Sequence, residues 1–282
     1  MLTPRTEHLI DLALEEDAGL GDITSRAIFP SAHRSRATVV AKQSLTLCGI
    51  AVAARVFARV SPDLKTKPLA RDGDRLAPGA AVLRVEGPTL ALLTAERTAL
   101  NFIQRLSGVA TQAARYAAAV RGTGVRIVDT RKTTPGWRAL EKYAVRCGGA
   151  GNHRSSLGEL VLIKDNHIAA AGSLTKAVRL CRESAPHGTR IEVEAKTAAE
   201  VREACRAGAD IILLDNMTPA QVRAAVATIA GCAQVEVSGG VTFATLTDYA
   251  LPGVDLISIG ALTHSAPAVD LSLEVEPIRR RR

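Results

Sequence analysis

From about residue 124 onward, short apolar runs recur at 125–129, 160–164, 190–195, 210–214, 234–237 and 256–259, with helix-like segments between them. That alternation implies parallel strands joined by helices, either an α/β barrel or a doubly wound sheet. The polar residues choose between the two. Strand side chains alternate in direction, so residues two apart share a face. Ile191, Val193 and Ala195 therefore face one way, and Glu192, Glu194 and Lys196 the other. Ile211, Leu213 and Asp215 share a face in the next strand, as do Glu236, Ser238 and Gly240 in the one after. Charge collects at the carboxyl ends of the strands, where barrel enzymes build their sites. An open sheet would gather a ligand at one strand-order switch; polarity at five successive strand ends fits a barrel.

The first third reads differently. Residues 4–16 carry Leu9, Ile10, Leu12 and Ala13 at helical spacing, with Gly19 and Gly21 beyond the end. Strands are expected at 36–42 and 81–85, then a long helix over 90–106 bearing Glu96, Arg97, Asn101 and Arg105. The expected division is an N-terminal domain over 1–108, a barrel over 109–265, a segment 266–278 returning to the first domain, and an Arg279–Arg282 tail.

Composition narrows the partners. Lys plus Arg outnumber Asp plus Glu by 36 to 28, but the terminal run supplies four of the +8, leaving +4 elsewhere. The run reads as a solvated tail. Aromatics at 3% leave few platforms for stacking bases, so no nucleic-acid partner is expected. The remaining positive excess suits either solubility or a site for small anions. Cys48, Cys147, Cys181, Cys205 and Cys232 form no C-x-x-C pair, which argues against a disulfide framework or a zinc knuckle. Charges interrupt every long apolar run and the start has no apolar signal core, so a cytoplasmic protein without a membrane partner is expected.

The densest chemistry lies between Asp129 and Arg154. Arg131 and Lys132 sit just past a strand, and His153 and Arg154 follow a glycine-rich turn. Arg offers a planar fork for carboxylate or phosphate, and Lys a point charge. One such residue is most simply a surface charge; four around a barrel mouth suggest an anion site. Lys164 ends the second barrel strand, facing inward, and needs an anion or a carboxylate such as Glu192 or Glu194. Asp165 and His167 are explained equally well by turn capping. His153, His167 and His264 could gather at zinc, but their spacing does not support it. Ser238-Gly239-Gly240 and Gly260 follow the last two strands, where barrels often hold phosphate on backbone amides.

Taken together, 131–136, 142–154, 162–167, 192–194, 214–216, 238–240 and 260–264 strongly resemble quinolinate phosphoribosyltransferase, with 16–24 and 93–101 extending the likeness over nearly the whole chain. The resemblance implies an N-terminal α/β sandwich followed by an incomplete α/β barrel. It implies decarboxylating transfer of a phosphoribosyl group to quinolinate, with Mg2+ as cofactor, in a homodimer or a higher assembly of dimers. By the same resemblance Arg97 reaches the neighbouring subunit's site, while Arg131, His153, Arg154 and Lys164 bind the two carboxylates of quinolinate. Lys132, Glu194 and Asp215 meet phosphoribosyl pyrophosphate as the catalytic set. The two acids serve the metal directly or through water or substrate, and Ser238, Gly239, Gly260 and His264 hold the 5′-phosphate. Two departures stand out: Lys196 where the family usually has an acid, and Trp137 where it has an aliphatic residue.

Three rivals remain at this stage. A lysine at a barrel strand end is also the nucleophile of Schiff-base aldolases, which borohydride trapping would reveal. The basic tail allows a non-catalytic nucleic-acid binder with steeply salt-dependent affinity. A related subfamily associated with molybdenum transport takes a different pyridine-like substrate.

Overall fold

A computed structural model describes residues 2–277; the Arg279–Arg282 tail lies outside the described residues. In chain order, the first elements are helices α1 (Pro4–Ala18) and α2 (Ile23–Ile28), strands β1 (Arg34–Ala41) and β2 (Leu45–Thr46), and helix α3 (Ile50–Val60). Strands β3 (Lys65–Pro68), β4 (Arg75–Leu76) and β5 (Ala81–Pro88), helix α4 (Thr89–Ala119), strand β6 (Arg126–Val128) and helix α5 (Arg138–Cys147) come next. There follow β7 (Val161–Ile163), α6 (Asp165–Ala171), α7 (Leu174–Ser184), β8 (Ile191–Ala195), α8 (Ala198–Ala207), β9 (Ile211–Asp215) and α9 (Pro219–Ile229). The last are β10 (Gln234–Ser238), α10 (Leu246–Tyr249), β11 (Leu256–Ser258), α11 (Ala261–His264) and β12 (Leu271–Pro277). The chain forms two compact units. One holds the residues up to Ala114, Thr134–Gly149 and the chain from Ser265 on; the other holds Arg115–Thr133 and Ala150–His264.

The N-terminal unit is built on an antiparallel sheet of order β12-β1-β5-β3. Ala37, Val39 and Ala41 of β1 are buried while Arg34 and Arg36 are exposed, the period-two pattern of a sheet with one face on a core. Helix α3 buries Ile50, Val52, Ala53, Val56 and Phe57 at helical spacing. Helix α1 begins at a Thr3 cap with Pro4 in its first turn. Its Glu7 and Asp11 pair with Arg55 and Arg59 of α3 at 2.9 and 2.6 Å. These partly exposed pairs fix orientation more than they add stability.

Helix α4 runs well past residue 106, where the sequence suggests a stop. Ser107 and Gly108 read as breakers but are bound by their surroundings. The Ser107 hydroxyl accepts from the Cys48 amide at 2.9 Å and donates to its carbonyl at 3.1 Å. Gly108 packs so closely on the Pro267 carbonyl that a Cβ would not fit. Beyond it the buried face continues through Val109, Ala110 and Ala113.

The second unit is a six-stranded parallel sheet of order β6-β11-β10-β9-β8-β7. Strands β7 to β11 lie in sequence order, and β6 then pairs with β11, the winding of a barrel left open between β6 and β7. On the far side of β6 the chain at Gly151 takes the place of a strand. Its amide donates to the Ile127 carbonyl at 2.8 Å, and its carbonyl accepts from the Asp129 amide at 3.2 Å. The protein is thus α/β, with a separate N-terminal sheet and an incomplete barrel. Parallel strands are normally apolar on both faces, yet Glu192, Glu194 and Glu236 are buried here within β8 and β10.

Candidate active site

The carboxyl ends of the barrel strands surround a cavity of about 440 Å³. Arg131, Lys132, His153, Arg154 and Lys164 line it, together with Glu194, Asp215, Ser238 and Gly239. Nine of the sequence-derived candidates thus meet in one place. Gly260 adjoins it: a Cβ there would stand 3.1 Å from both the Lys132 side chain and the His264 ring. Arg97 is exposed on α4 of the N-terminal unit and is not among the lining residues.

The basic arc is held from beneath by a residue given no role in the sequence reading. Asp129, fully buried, accepts from the Asn152 side chain at 2.7 Å and from the His153 amide at 2.9 Å. His153 Nε2 then lies 3.0 Å from Glu192 and 3.5 Å from Glu236, both fully buried. Burial alone would lower the His153 pKa, but the hydrogen bonds to Glu192 and Glu236 outweigh it and push it up to about 10. The Arg154 amide acts in the other direction by donating to Nδ1 at 2.9 Å, which favours the neutral ring with its proton on Nε2. Burial raises the Glu192 carboxyl above its usual range against the His153 hydrogen bond, and neighbouring Glu236 adds to the rise.

Arg154 is anchored by donating to the Leu160 carbonyl at 2.9 Å. Burial and the adjacent Arg131 both lower its pKa from the ordinary value. Two guanidiniums crowded together favour an anion between them. Lys164 is half exposed rather than buried as its strand position suggests, and its partner is Glu194 at 3.3 Å, not Glu192. The chain turns outward there into α6, whose N-cap it is. Lys196, also exposed, pairs with Asp165 at 2.7 Å and approaches the other oxygen of Glu194 at 3.6 Å. His167 is exposed and accepts from the Lys164 amide at 3.0 Å, so capping accounts for it. The zinc grouping of His153, His167 and His264 does not form: His153 clusters with Glu192 and Glu236 instead.

Across the cavity, Gly239 and Gly240 have φ of 86° and 67°, which exposes their amides. A side chain at Gly239 would strike Asn216, which is itself left-handed at φ 56° and bonded to Asp215 at 2.9 Å. The oxygen donors of Glu194 and Asp215, on adjacent strands, suit a hard cation such as Mg2+. Both Glu194 oxygens, however, already have ammonium neighbours. In the N-terminal unit, Trp137 precedes α5 and stacks on Phe102 with ring centroids 4.9 Å apart.

Two family models and several relatives match the chain. The family described as quinolinate phosphoribosyl transferase, N-terminal domain, matches residues 22–107, and its C-terminal domain matches 109–274. A probable nicotinate-nucleotide pyrophosphorylase (carboxylating) of Bacillus subtilis is 43% identical over 260 residues, covering 92% of this chain and 90% of the relative. The human nicotinate-nucleotide pyrophosphorylase (carboxylating) is 39% identical over 272 residues, covering 95% and 90%. The crystal structure of NadC from Streptococcus pyogenes superposes with a TM-score of 0.94 at 40% identity, over 99% of each chain.

Proposed function

The chain belongs to the quinolinate phosphoribosyltransferase family, and from that premise we infer that it joins quinolinate to the phosphoribosyl group of 5-phosphoribosyl 1-pyrophosphate. The products are nicotinate mononucleotide, carbon dioxide and pyrophosphate, in NAD biosynthesis. "Carboxylating" in the relatives' names describes the same reaction read backwards. The observation that carries the reading is the gathering of five basic residues, three carboxylates and a pair of left-handed glycines in one cavity.

Quinolinate brings two adjacent carboxylates, and Arg131, His153, Arg154 and Lys164 answer them. Protonated or as the Nε2–H tautomer, His153 has a proton on the nitrogen that faces Glu192. Phosphoribosyl pyrophosphate sets its 5′-phosphate against the Ser238–Gly239 amides, Gly260 and His264, and its pyrophosphate toward Lys132. The ring nitrogen attacks the anomeric carbon as the carbon–pyrophosphate bond breaks, so positive charge develops on the ribose. Glu194 and Asp215 stabilise that charge and hold the ribose hydroxyls. Glu194 and Asp215 would hold Mg2+, directly or through water or substrate, and the ion would supply neutralising charge for the departing pyrophosphate. Once the ring nitrogen is quaternary, the 2-carboxylate leaves as carbon dioxide and a proton replaces it on the ring. The cations must therefore hold that carboxylate no more tightly in the ground state than in the transition state.

In this reading Arg97, exposed on α4, completes the site of a partner subunit in a homodimer. Five free cysteines suit a reducing cytoplasm, and among the described residues no helix is long and apolar enough to cross a membrane. Lys164 paired to Glu194 lacks the apolar surroundings that activate an aldolase lysine. The test is direct: incubate the protein with quinolinate, phosphoribosyl pyrophosphate and Mg2+, and assay nicotinate mononucleotide. Product that forms only with all three supports the reading, and product that forms equally in excess chelator removes the metal from it.

A further inference from the structure

Within the N-terminal unit, three side chains that the proposed chemistry leaves unused converge on one spot. The sulfurs of Cys48 and Cys147 and a carboxylate oxygen of Asp72 all lie within 4.8 Å of one another. No sequence spacing announces the group. Its members come from the turn before α3, the loop between β3 and β4, and the last residue of α5. Each is held in place from behind. The Ser107 hydroxyl grips both the amide and the carbonyl of Cys48, which is fully buried. Asp72 accepts from the Gly49 and Ile50 amides at 3.0 and 3.1 Å and from the Tyr143 hydroxyl at 3.0 Å, so none of its hydrogen-bond partners is a cation. Cys147 is hydrogen-bonded to both Cys48 and Tyr143. Asp72 and Tyr143 also line a cavity of about 690 Å³, which gives an ion a way in.

Asp72 decides between the two uses of such a thiol pair. Its charge opposes the free thiolates through which cysteines oxidise to a disulfide, and it favours a cation among them. Thiolate sulfur in turn selects zinc and similar ions over Mg2+. A zinc ion takes sulfur at about 2.3 Å and carboxylate oxygen at about 2.0–2.2 Å, so its tetrahedral donors stand roughly 3.5–4 Å apart. Donors already inside 4.8 Å reach that spacing by small side-chain turns. We propose that Cys48, Asp72 and Cys147 form a binding site for one thiophilic divalent cation, with Zn2+ the expected ion and water in the fourth position. The ion ties the end of α5 to the turn before α3, and the site shares no residue with the barrel cavity. Entry displaces the thiol protons. The bond to Cys147, and then burial, hold the Cys48 proton firmly, so only ions with a high affinity for thiolate take the site.

Co2+ serves as the probe, because thiolate ligation gives it a near-ultraviolet absorption band that oxygen ligands, including those of the barrel cavity, do not. Titrated into the reduced, folded protein, Co2+ produces that band and saturates it at about one equivalent, and Zn2+ then removes it. Cys48→Ala and Cys147→Ala each abolish the band. Tyr143→Phe, which deletes only the bond that orients Asp72, weakens Co2+ binding about tenfold, and Asp72→Asn weakens it further. Cys48 lies in the core, so the partly exposed Cys147 carries the comparison should the Cys48 variant misfold. A triple variant, Cys181→Ser with Cys205→Ser and Cys232→Ser, keeps the band, which separates this site from the neighbouring Cys205 and Cys232. Three results overturn the proposal: no thiolate band in the unmodified protein, a band that survives Cys147→Ala, or a band lost in the triple variant.

Discussion

The carbonyl of Lys132 accepts a 2.7 Å hydrogen bond from the hydroxyl of Thr263, a side chain with no exposure to solvent. The bond ties the loop after β6 to α11, which follows the neighbouring strand β11. It sets where the Lys132 side chain begins. Thr263→Val keeps the shape and deletes the donor, leaving the carbonyl without this partner at a cost of about 1–3 kcal/mol. We expect a lower unfolding midpoint and a KM for phosphoribosyl pyrophosphate raised several-fold, with the KM for quinolinate nearly unchanged. Steady-state kinetics on both substrates and a denaturant titration check it, and equal shifts in the two KM values would mean general loosening.

Arg154→Ala and Lys164→Ala should each weaken quinolinate far more than phosphoribosyl pyrophosphate. Truncating one partner of a buried charged pair costs on the order of 2–5 kcal/mol, or tens- to thousands-fold in affinity. Lys164 is half exposed, which places it toward the lower end, and Arg154, anchored to the Leu160 carbonyl, toward the upper. Nicotinate, with one carboxylate, should bind the unmodified protein poorly. Calorimetric titration decides the matter, and equal losses for both substrates would assign these residues to the general field of the cavity.

His153 makes a pH prediction with a definite sign. Its folded pKa is raised from 6.5 to about 10. The stability it contributes is therefore fully present below about 6.5 and is lost as pH climbs to about 10. The ring resonances should still report an imidazolium at pH 8, and the unfolding midpoint should fall between pH 7 and 10. A ring that titrates near 6.5 would show that the Arg154 amide on Nδ1 wins, and that His153 works as a neutral donor.

Arg97→Ala should fold normally, since its side chain is exposed, and should be inactive as a homogeneous protein. Mixed with an inactive Lys164→Ala variant under conditions where subunits exchange, it should regain part of the activity. Exchange demonstrated by mass difference with no recovery would confine Arg97 to its own chain.

How legible the molecule was in its sequence depended on the distance over which each residue acts. The alternation in 190–196 identifies Glu192 and Glu194 as inward-facing because the pleat is local, and both are buried. Which cation each one meets was not readable. His153 spans from β8 to β10, and Lys164 chooses Glu194 over Glu192, both set by barrel curvature and by the turn into α6. Asp129 escaped notice because its work is to bind the chain at 152–153, more than twenty residues on. Helix α4 outran its expected end because Ser107 and Gly108 are accommodated by Cys48 and Pro267, contacts that no local pattern signals. The alternation of Leu271, Leu273 and Val275 is too short to announce β12 without sight of β1.

That last pairing has a bearing on how the protein is made. Strand β1 lies between β5 and β12 in its sheet, bonded in register to Leu271–Pro277 on one side. As the polypeptide leaves the ribosome, β1 can meet β5 within seconds of synthesis, yet its other edge stays open until β12, which begins 183 residues after Pro88 (271 − 88), has emerged. During that interval the nascent N-terminal unit carries an unpaired strand edge of the kind that invites wrong partners. The exposed arginines at the start of β1 do not guard that edge: Arg36 turns to Glu86 of β5, 3.0 Å away on the side already paired.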